Sequence, residues 1–203
     1  MNEFDHKAPQ WDAKPVRVER VQAMADGLRA ALPLSANMTA LEYGCGTGLV
    51  SFALQPYLGH ITLADSSSGM LAVLREKIAA SQVKNMRPQK LDLMIDPLPT
   101  ERYQLIYTLM TLHHIPETDR ILRAFYALLD TPGYLCVADL DTEDGTFHED
   151  EFHGHWGFDR TALSTLAQQV GFHSITFSTL FQMRKEVAGV PKDYPLFLMI
   201  AHK

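Results

Sequence analysis

The sequence predicts an α/β fold, a doubly wound and mostly parallel sheet of seven strands that ends in an antiparallel strand pair. Three observations carry this expectation. Short apolar bursts alternate with helix-period patterns from about residue 40 to residue 140, as in strand–helix units joined by right-handed crossovers. A stretch with three glycines, "ALEYGCGTGLVSFAL" at 40–54, separates the first burst from the helix that follows it. Two long strand-like runs then finish the chain with only turn residues between them.

The elements follow in order. From Lys14 to Leu32, Val18, Val21, Met24, Ala25, Leu28 and Leu32 recur at steps of three and four, an amphipathic helix. "PLSANMT" ends it with turn chemistry. "ALEY" predicts a first strand, followed by a helix over 49–57. "HITLAD" predicts a second strand, with a helix over 67–81. "MRPQKLDL" predicts a weaker third strand at an edge, because Pro88 has no N–H to donate. "YQLIYTLM" is a fourth strand and "ETDRILRAFYALLD" the helix after it. The turn "DTPG" opens the fifth strand, "GYLCVADL". After an acidic stretch a helix starts at Asp159, a good cap residue, and runs to Gly171. "HSITFSTLFQMR" and "YPLFLMIAHK" then read as the antiparallel pair, joined through "GVPKDYP".

Bulk properties narrow the function classes. A chain of 203 residues, 46% apolar and 21% charged, suits one domain with a real core. Its formal charge of −6 argues against general attraction to nucleic acid. No apolar run is long enough to insert in a membrane, and the polar, acid-bearing start is not a secretory signal. Two cysteines, Cys45 and Cys136, make neither a disulfide framework nor a four-ligand zinc site, so a reducing cytoplasm is expected.

Glycine loses more backbone freedom on folding than any other residue, so Gly44, Gly46 and Gly48 together imply a tight turn or a ligand against bare backbone. Three acids sharpen this. Asp65 ends the second strand, where a carboxylate can accept both hydroxyl protons of a ribose. Asp92 ends the third, within reach of an adenine amino group. Glu42 precedes the loop and suits a cationic group. Strand tips on one side of an open sheet converge on one crevice. A dinucleotide fits less well, because Leu49 stands where the third glycine of its fingerprint belongs and Glu42 would repel a pyrophosphate.

"LEYGCGTG", "ITLADSSSGML", "LDL" and "YQLIYTLMTLHHI" together resemble the class I S-adenosylmethionine-dependent methyltransferases, with small single-domain bacterial members and relatives of the quinone-pathway enzymes nearest. The resemblance implies a seven-stranded Rossmann-like fold with an antiparallel C-terminal strand, and S-adenosyl-L-methionine as cofactor. It implies that Gly44, Cys45, Gly46 and Gly48 border the methionine part. Asp65, Ser66 and Met70 would hold ribose and adenosine, Asp92 and Leu93 would flank adenine, and Thr108 and Leu109 would offer backbone to the amino group. Trp11, Lys14 and Arg17 would form a lid, Arg17 touching the cofactor. The implied layout is a helical lid at 1–35, a cofactor core at 36–140, an acidic acceptor-side loop at 141–157, and a helix with the terminal strand pair at 158–203.

Methyl transfer from a sulfonium needs alignment, dryness and, for a protonated acceptor, a base. His114, Asp139 and His155 are the candidate catalytic residues. His113 reads as a cap on the fourth strand, and Asp141 as a second carboxylate near the crevice with a cap or turn role open. His153, His155, Trp156 and Phe158 are expected to roof the acceptor pocket. His148, His153 and His155 with Glu149, Asp150 and Glu151 match no standard ligand spacing, so a solvated loop is expected and no metal. Cys45, between two glycines, reads as an inert space-filler. A small-molecule acceptor is the favoured substrate. The other readings are an NAD-type oxidoreductase and a non-catalytic binder of S-adenosylmethionine or S-adenosylhomocysteine. Leu180, Phe181 and Met183 would serve a homodimer or a buried sheet face equally well.

Overall fold

A computed structural model of the chain describes residues 3–148 and 152–203. Its strands are β1 (Thr39–Tyr43), β2 (His60–Asp65), β3 (Met86–Lys90), β4 (Tyr103–Leu109), β5 (Leu129–Leu140), β6 (His173–Val187) and β7 (Val190–His202). They form one sheet in the order β3-β2-β1-β4-β5-β7-β6. The first five are parallel, and β7 runs antiparallel to both β5 and β6. The helices are α1 (Pro15–Ala31), α2 (Leu49–Leu54), α3 (Ser68–Ser81), α4 (Thr118–Leu128) and α5 (Arg160–Val170).

Alternation along the strands builds two cores, one per sheet face. Leu41, Ile106, Leu135 and Val137 face α4 and α5, meeting Ile121, Phe125, Leu128 and Leu163. Ala40, Leu105, Cys136 and Ala138 face α1, α2 and α3, meeting Met24, Leu28, Leu54 and Leu74. Each fully buried leucine of this kind contributes about 1.5–3 kcal/mol. The sheet also absorbs the β6 residues considered for a dimer, since Leu180 packs in the α1 core and Phe181 and Met183 in a cluster around Leu140.

Pro88 does sit on an edge strand, opposite Leu63. Three local expectations change. Val18 is 52% exposed, so the buried stripe of α1 starts further along, at Met24, Ala25 and Leu28. Strand β5 begins at Leu129, ahead of the expected turn residues. The last hairpin is far longer than its turn chemistry suggests, and pairing continues to Val187 and Val190. Ala188 and Gly189 both take positive φ, 50° and 79°, giving a two-residue turn whose twist matches the strands. Because β5 stops pairing at Leu140, the hairpin beyond Leu196 projects past the sheet. It packs there through Met183 and Tyr194 on Leu140 and Phe147.

Candidate active site

The carboxyl ends of β1, β2 and β4 and the loop after β3 open into a cavity of about 910 Å³, within the size range of small-molecule sites. Its floor is the glycine loop. Gly44, Gly46 and Gly48 have φ of 70°, 53° and 80°. A Cβ on Gly44 would lie 2.3 Å from the Thr111 side chain, and one on Gly48 would lie 2.6 Å from Leu74 Cδ1, so packing enforces two of the three. The N–H groups of Gly44 and Cys45 donate to the Ala64 carbonyl at 2.8 and 3.0 Å, which binds the loop to β2.

Asp65, at the tip of β2, accepts from Gly46 N at 2.7 Å and from Ser67 N at 2.8 Å. Each oxygen keeps acceptor capacity. Burial pushes this carboxyl above the usual range, against those two hydrogen bonds. Ser66, Met70 and Asp92 line the same end, and Asp92 is held in its turn by accepting from Met94 N at 2.9 Å. Glu42 lies deeper. Its Oε2 accepts from Ser51 N at 3.2 Å and from the Ser51 hydroxyl, whose oxygen is 2.7 Å from Tyr107 Oη. Burial pushes Glu42 up to about 8, so at neutral pH it is mostly protonated.

The N-terminal segment roofs this end. Asp5 accepts from Ser67 Oγ at 2.7 Å and Gly69 N at 2.9 Å, at the start of α3. Asp12 bridges Thr47 Oγ1 at 2.5 Å and Lys77 Nζ at 2.6 Å. The Arg17 guanidinium lies 3.6 Å from the Trp11 ring centre, and its Nη1 donates to the Trp11 carbonyl at 2.5 Å. Trp11, Lys14 and Arg17 all line the cavity.

The opposite end is aromatic. His113, His114, Phe147, His148 and Phe152 line it, with His148 stacked on Phe152 at 3.6 Å between ring centres. His113 Nδ1 is 2.6 Å from Asp139 Oδ1, and its backbone N–H donates to Asp139 Oδ2 at 3.2 Å. Asp139 is fully buried, yet its carboxyl stays below the usual range because the His113 contacts and a hydrogen bond from Leu140 N outweigh desolvation. An ionised carboxylate only accepts, so Nδ1 carries the hydrogen of this contact. Burial, with His113 and His148 alongside, lowers His114 to about 3, which leaves it a neutral ring.

Of the residues named from sequence, Glu42, Gly44, Cys45, Gly46, Asp65, Ser66, Met70, Asp92, Leu109, Arg17 and His114 meet at this cavity. Leu93 does not; it turns into the core and Leu91 and Met94 take the wall. Thr108 is buried, with Oγ1 unpartnered, and Gly48 stands behind Thr47 and Leu49. Burial pushes the Cys45 thiol well up, which suits an inert filler. Asp139 is sealed beneath His113. His155 points away from the cavity, with Nε2 3.0 Å from Thr118 Oγ1 and from the Ile115 carbonyl. Trp156 is 56% exposed, and Phe158 belongs to the core. Asp141 forms a two-pronged ion pair with Arg160, both contacts at 2.6 Å. Glu149, Asp150 and Glu151 lie outside the described residues. Among those described, no three His, Cys, Asp or Glu side chains converge as metal ligands, and no helix is long and apolar enough to cross a membrane.

Sequence reading missed Arg20, Phe147, His148, Phe152 and Lys185 as wall residues. Met110 was also missed; it lines the cavity with φ of 55°, a conformation few side chains adopt.

A family model described as a methyltransferase domain matches residues 17–176. An uncharacterised methyltransferase of Schizosaccharomyces pombe is 31% identical over 71% of this chain and 52% of its own length. A ubiquinone biosynthesis O-methyltransferase of Marinobacter nauticus is 27% identical over 68% of this chain and 56% of its own. The chain thus spans about half the length of the curated relatives it matches. In fold, it superposes on a SAM-dependent methyltransferase from Aquifex aeolicus with a TM-score of 0.73 at 19% identity, covering 98% of this chain and 97% of that one. The family match spans the glycine loop, the acid at the tip of β2 and the strand that presents His113, and on that ground the chain belongs to the methyltransferase-domain family.

Proposed function

We propose that the chain transfers a methyl group from S-adenosyl-L-methionine to a small-molecule acceptor by in-line displacement. One observation carries the reading: Asp65, fixed by Gly46 N and Ser67 N, opens into a cavity that runs unbroken from the glycine loop to the His113–Asp139 pair. The residues present suit such a cofactor. Asp65 has acceptor capacity for ribose hydroxyls, Asp92 lies where an adenine edge would come, and Arg17 offers a cation to a carboxylate. Glu42, mostly protonated at neutral pH in the free chain, would ionise beside the cofactor's ammonium group.

S-adenosylmethionine supplies an already activated methyl group when bound. This chain's part is placement, a dry wall and proton removal. The aromatic end excludes water from the transfer line. His113 lines the cavity with Nδ1 on Asp139, so on this reading its other ring nitrogen takes the acceptor's proton and Asp139 stabilises the imidazolium formed. In this scheme Asp139 works through His113, and His114 shapes the pocket as a neutral ring. The layout follows: residues 1–35 as lid, 36–140 as cofactor half, 141–157 and the tip of the β6–β7 hairpin as the acceptor side. Two buried free thiols suit a reducing cytoplasm.

Calorimetry with S-adenosylhomocysteine tests the reading. Asp65→Ala weakens binding about 10- to 100-fold, the loss of hydrogen bonds to a charged group. His148→Ala leaves it within about threefold, since His148 stands at the aromatic end. Equal affinities in the two variants, or tighter binding of NAD than of S-adenosylhomocysteine, would remove the assignment.

A further inference from the structure

The acceptor end holds a guanidinium that methyl transfer itself does not require. Arg20 leaves α1 one turn after Arg17, enters the cavity and reaches β6, where Nη1 meets Met183 Sδ at 3.5 Å. Its Nε is sealed from solvent and has no hydrogen-bond partner. Among the described residues no carboxylate is within ion-pairing distance of it. Burial and the neighbouring Arg17 charge lower it to about 10, with Asp139 pulling the other way, so it stays charged at neutral pH.

A guanidinium presents its N–H groups in a planar fork, and a thioether sulfur is a weak acceptor for one of them. A cation this poorly satisfied in a largely dry wall costs stability unless something completes it. Two of the neighbouring cations have partners within the chain, Arg17 being also the one placed on the cofactor's carboxylate, while Lys7 and Lys14 line the cavity as well. Arg17 is stacked on Trp11 and bonded to its carbonyl, and Lys185 Nζ donates to the Phe147 carbonyl at 2.5 Å. Of the acids that line the cavity, Glu42, Asp65 and Asp92 stand at the ends of β1, β2 and β3, Glu3 is in the N-terminal segment and Glu117 precedes α4, whereas Arg20 feels Asp139 at the end of β5. At this end Lys185 and Lys7 act with Arg20 as the cations facing the aromatic wall, and after burial, the largest cause, both lysines help to lower His148.

We propose that Arg20 anchors an anionic acceptor, gripping a carboxylate or phosphate group through its Nη groups while the acceptor's reacting atom lies at His113. Methyl transfer as the reaction rests on the preceding section; recognition of the anion rests on Arg20 alone.

The test titrates the full chain with benzoate, with phenyl phosphate and with neutral benzamide, each with and without saturating S-adenosylhomocysteine. Calorimetry gives the affinities, and the arginine Nε–H resonance of Arg20 gives the contact. The expected result is that at least one anion binds about tenfold or more tighter than benzamide, the worth of a charge-assisted hydrogen bond. The stronger anion identifies the group. Arg20→Met brings anion and amide within about threefold, while Arg20→Lys keeps part of the preference. S-adenosylhomocysteine affinity stays within about twofold in both variants, and the free Arg20→Met protein melts about 2–4 °C higher, having lost a partly buried charge with no ion-pair partner.

Wild-type protein that does not prefer either anion, including one that binds none of the three probes, overturns the proposal. So does an Arg20→Met variant that keeps the preference. A tenfold loss of S-adenosylhomocysteine affinity in Arg20→Met would instead put Arg20 on the cofactor's carboxylate. Should Arg20→Met not fold, the wild-type preference and Arg20→Lys decide. If S-adenosylhomocysteine does not bind wild-type protein at all, the methyl-transfer reading fails, and the titrations without it judge the anion site separately.

Discussion

At the scale of single residues, position in the wall decides what each side chain can do. His113 and His114 are neighbours, yet only His113 has a buried carboxylate beneath it. His113→Gln is expected to lower kcat by about 10²–10⁴ for an acceptor that must lose a proton, with S-adenosylhomocysteine affinity nearly unchanged. A variant with unaltered kcat would leave the pair a structural cap. The glycines answer a different demand. Gly44→Ala forces a side chain to φ of 70° and against Thr111, so urea denaturation should show a loss of about 2–3 kcal/mol. A loss under about 0.5 kcal/mol would mean that the loop relaxes freely.

At the scale of elements, the segment before α1 is fastened by Asp5 on α3, by Asp12 on Thr47 and Lys77, and by Phe4 edge-on to His114. The Asp12–Lys77 pair is partly exposed, so little of the global stability rests on it. Asp12→Ala should speed S-adenosylhomocysteine release several-fold in stopped-flow measurements while shifting Tm by no more than about 2 °C. An unchanged release rate would show that the segment does not retain the ligand. Element scale is also where the sequence was most legible. Strand tips and glycine spacing placed Asp65, Asp92 and the loop because those positions follow from local periodicity and turn chemistry. The acceptor wall was less legible. Phe147, His148 and Phe152 come from an irregular loop, Arg20 from a helix turn and Lys185 from the far hairpin. Only tertiary packing joins them, and no spacing rule links residue 20 to residue 185. His155 and Trp156 were expected in the roof from their place in the chain, but the loop turns them outward as His155 N bonds to the His113 carbonyl.

For the whole molecule, the buried Glu42 links stability to pH. Its folded value of about 8 lies above the ordinary 4.5, so between those limits the native state holds more protons than the unfolded chain. Stability therefore falls as pH climbs through that window, and the full penalty is present above pH 8. The difference between wild type and Glu42→Gln, followed by denaturation from pH 5 to 8, should isolate that slope; parallel curves would assign Glu42 an ordinary titration. The same architecture separates two kinds of change. The β6–β7 hairpin past Leu196 is held by its own ladder and a small apolar cluster, and it brings Lys185 to the cavity wall. Transplanting that tip from a relative should retune which acceptor is taken while the nucleoside half goes on working, so divergence can collect on an arm the rest of the sheet scarcely feels.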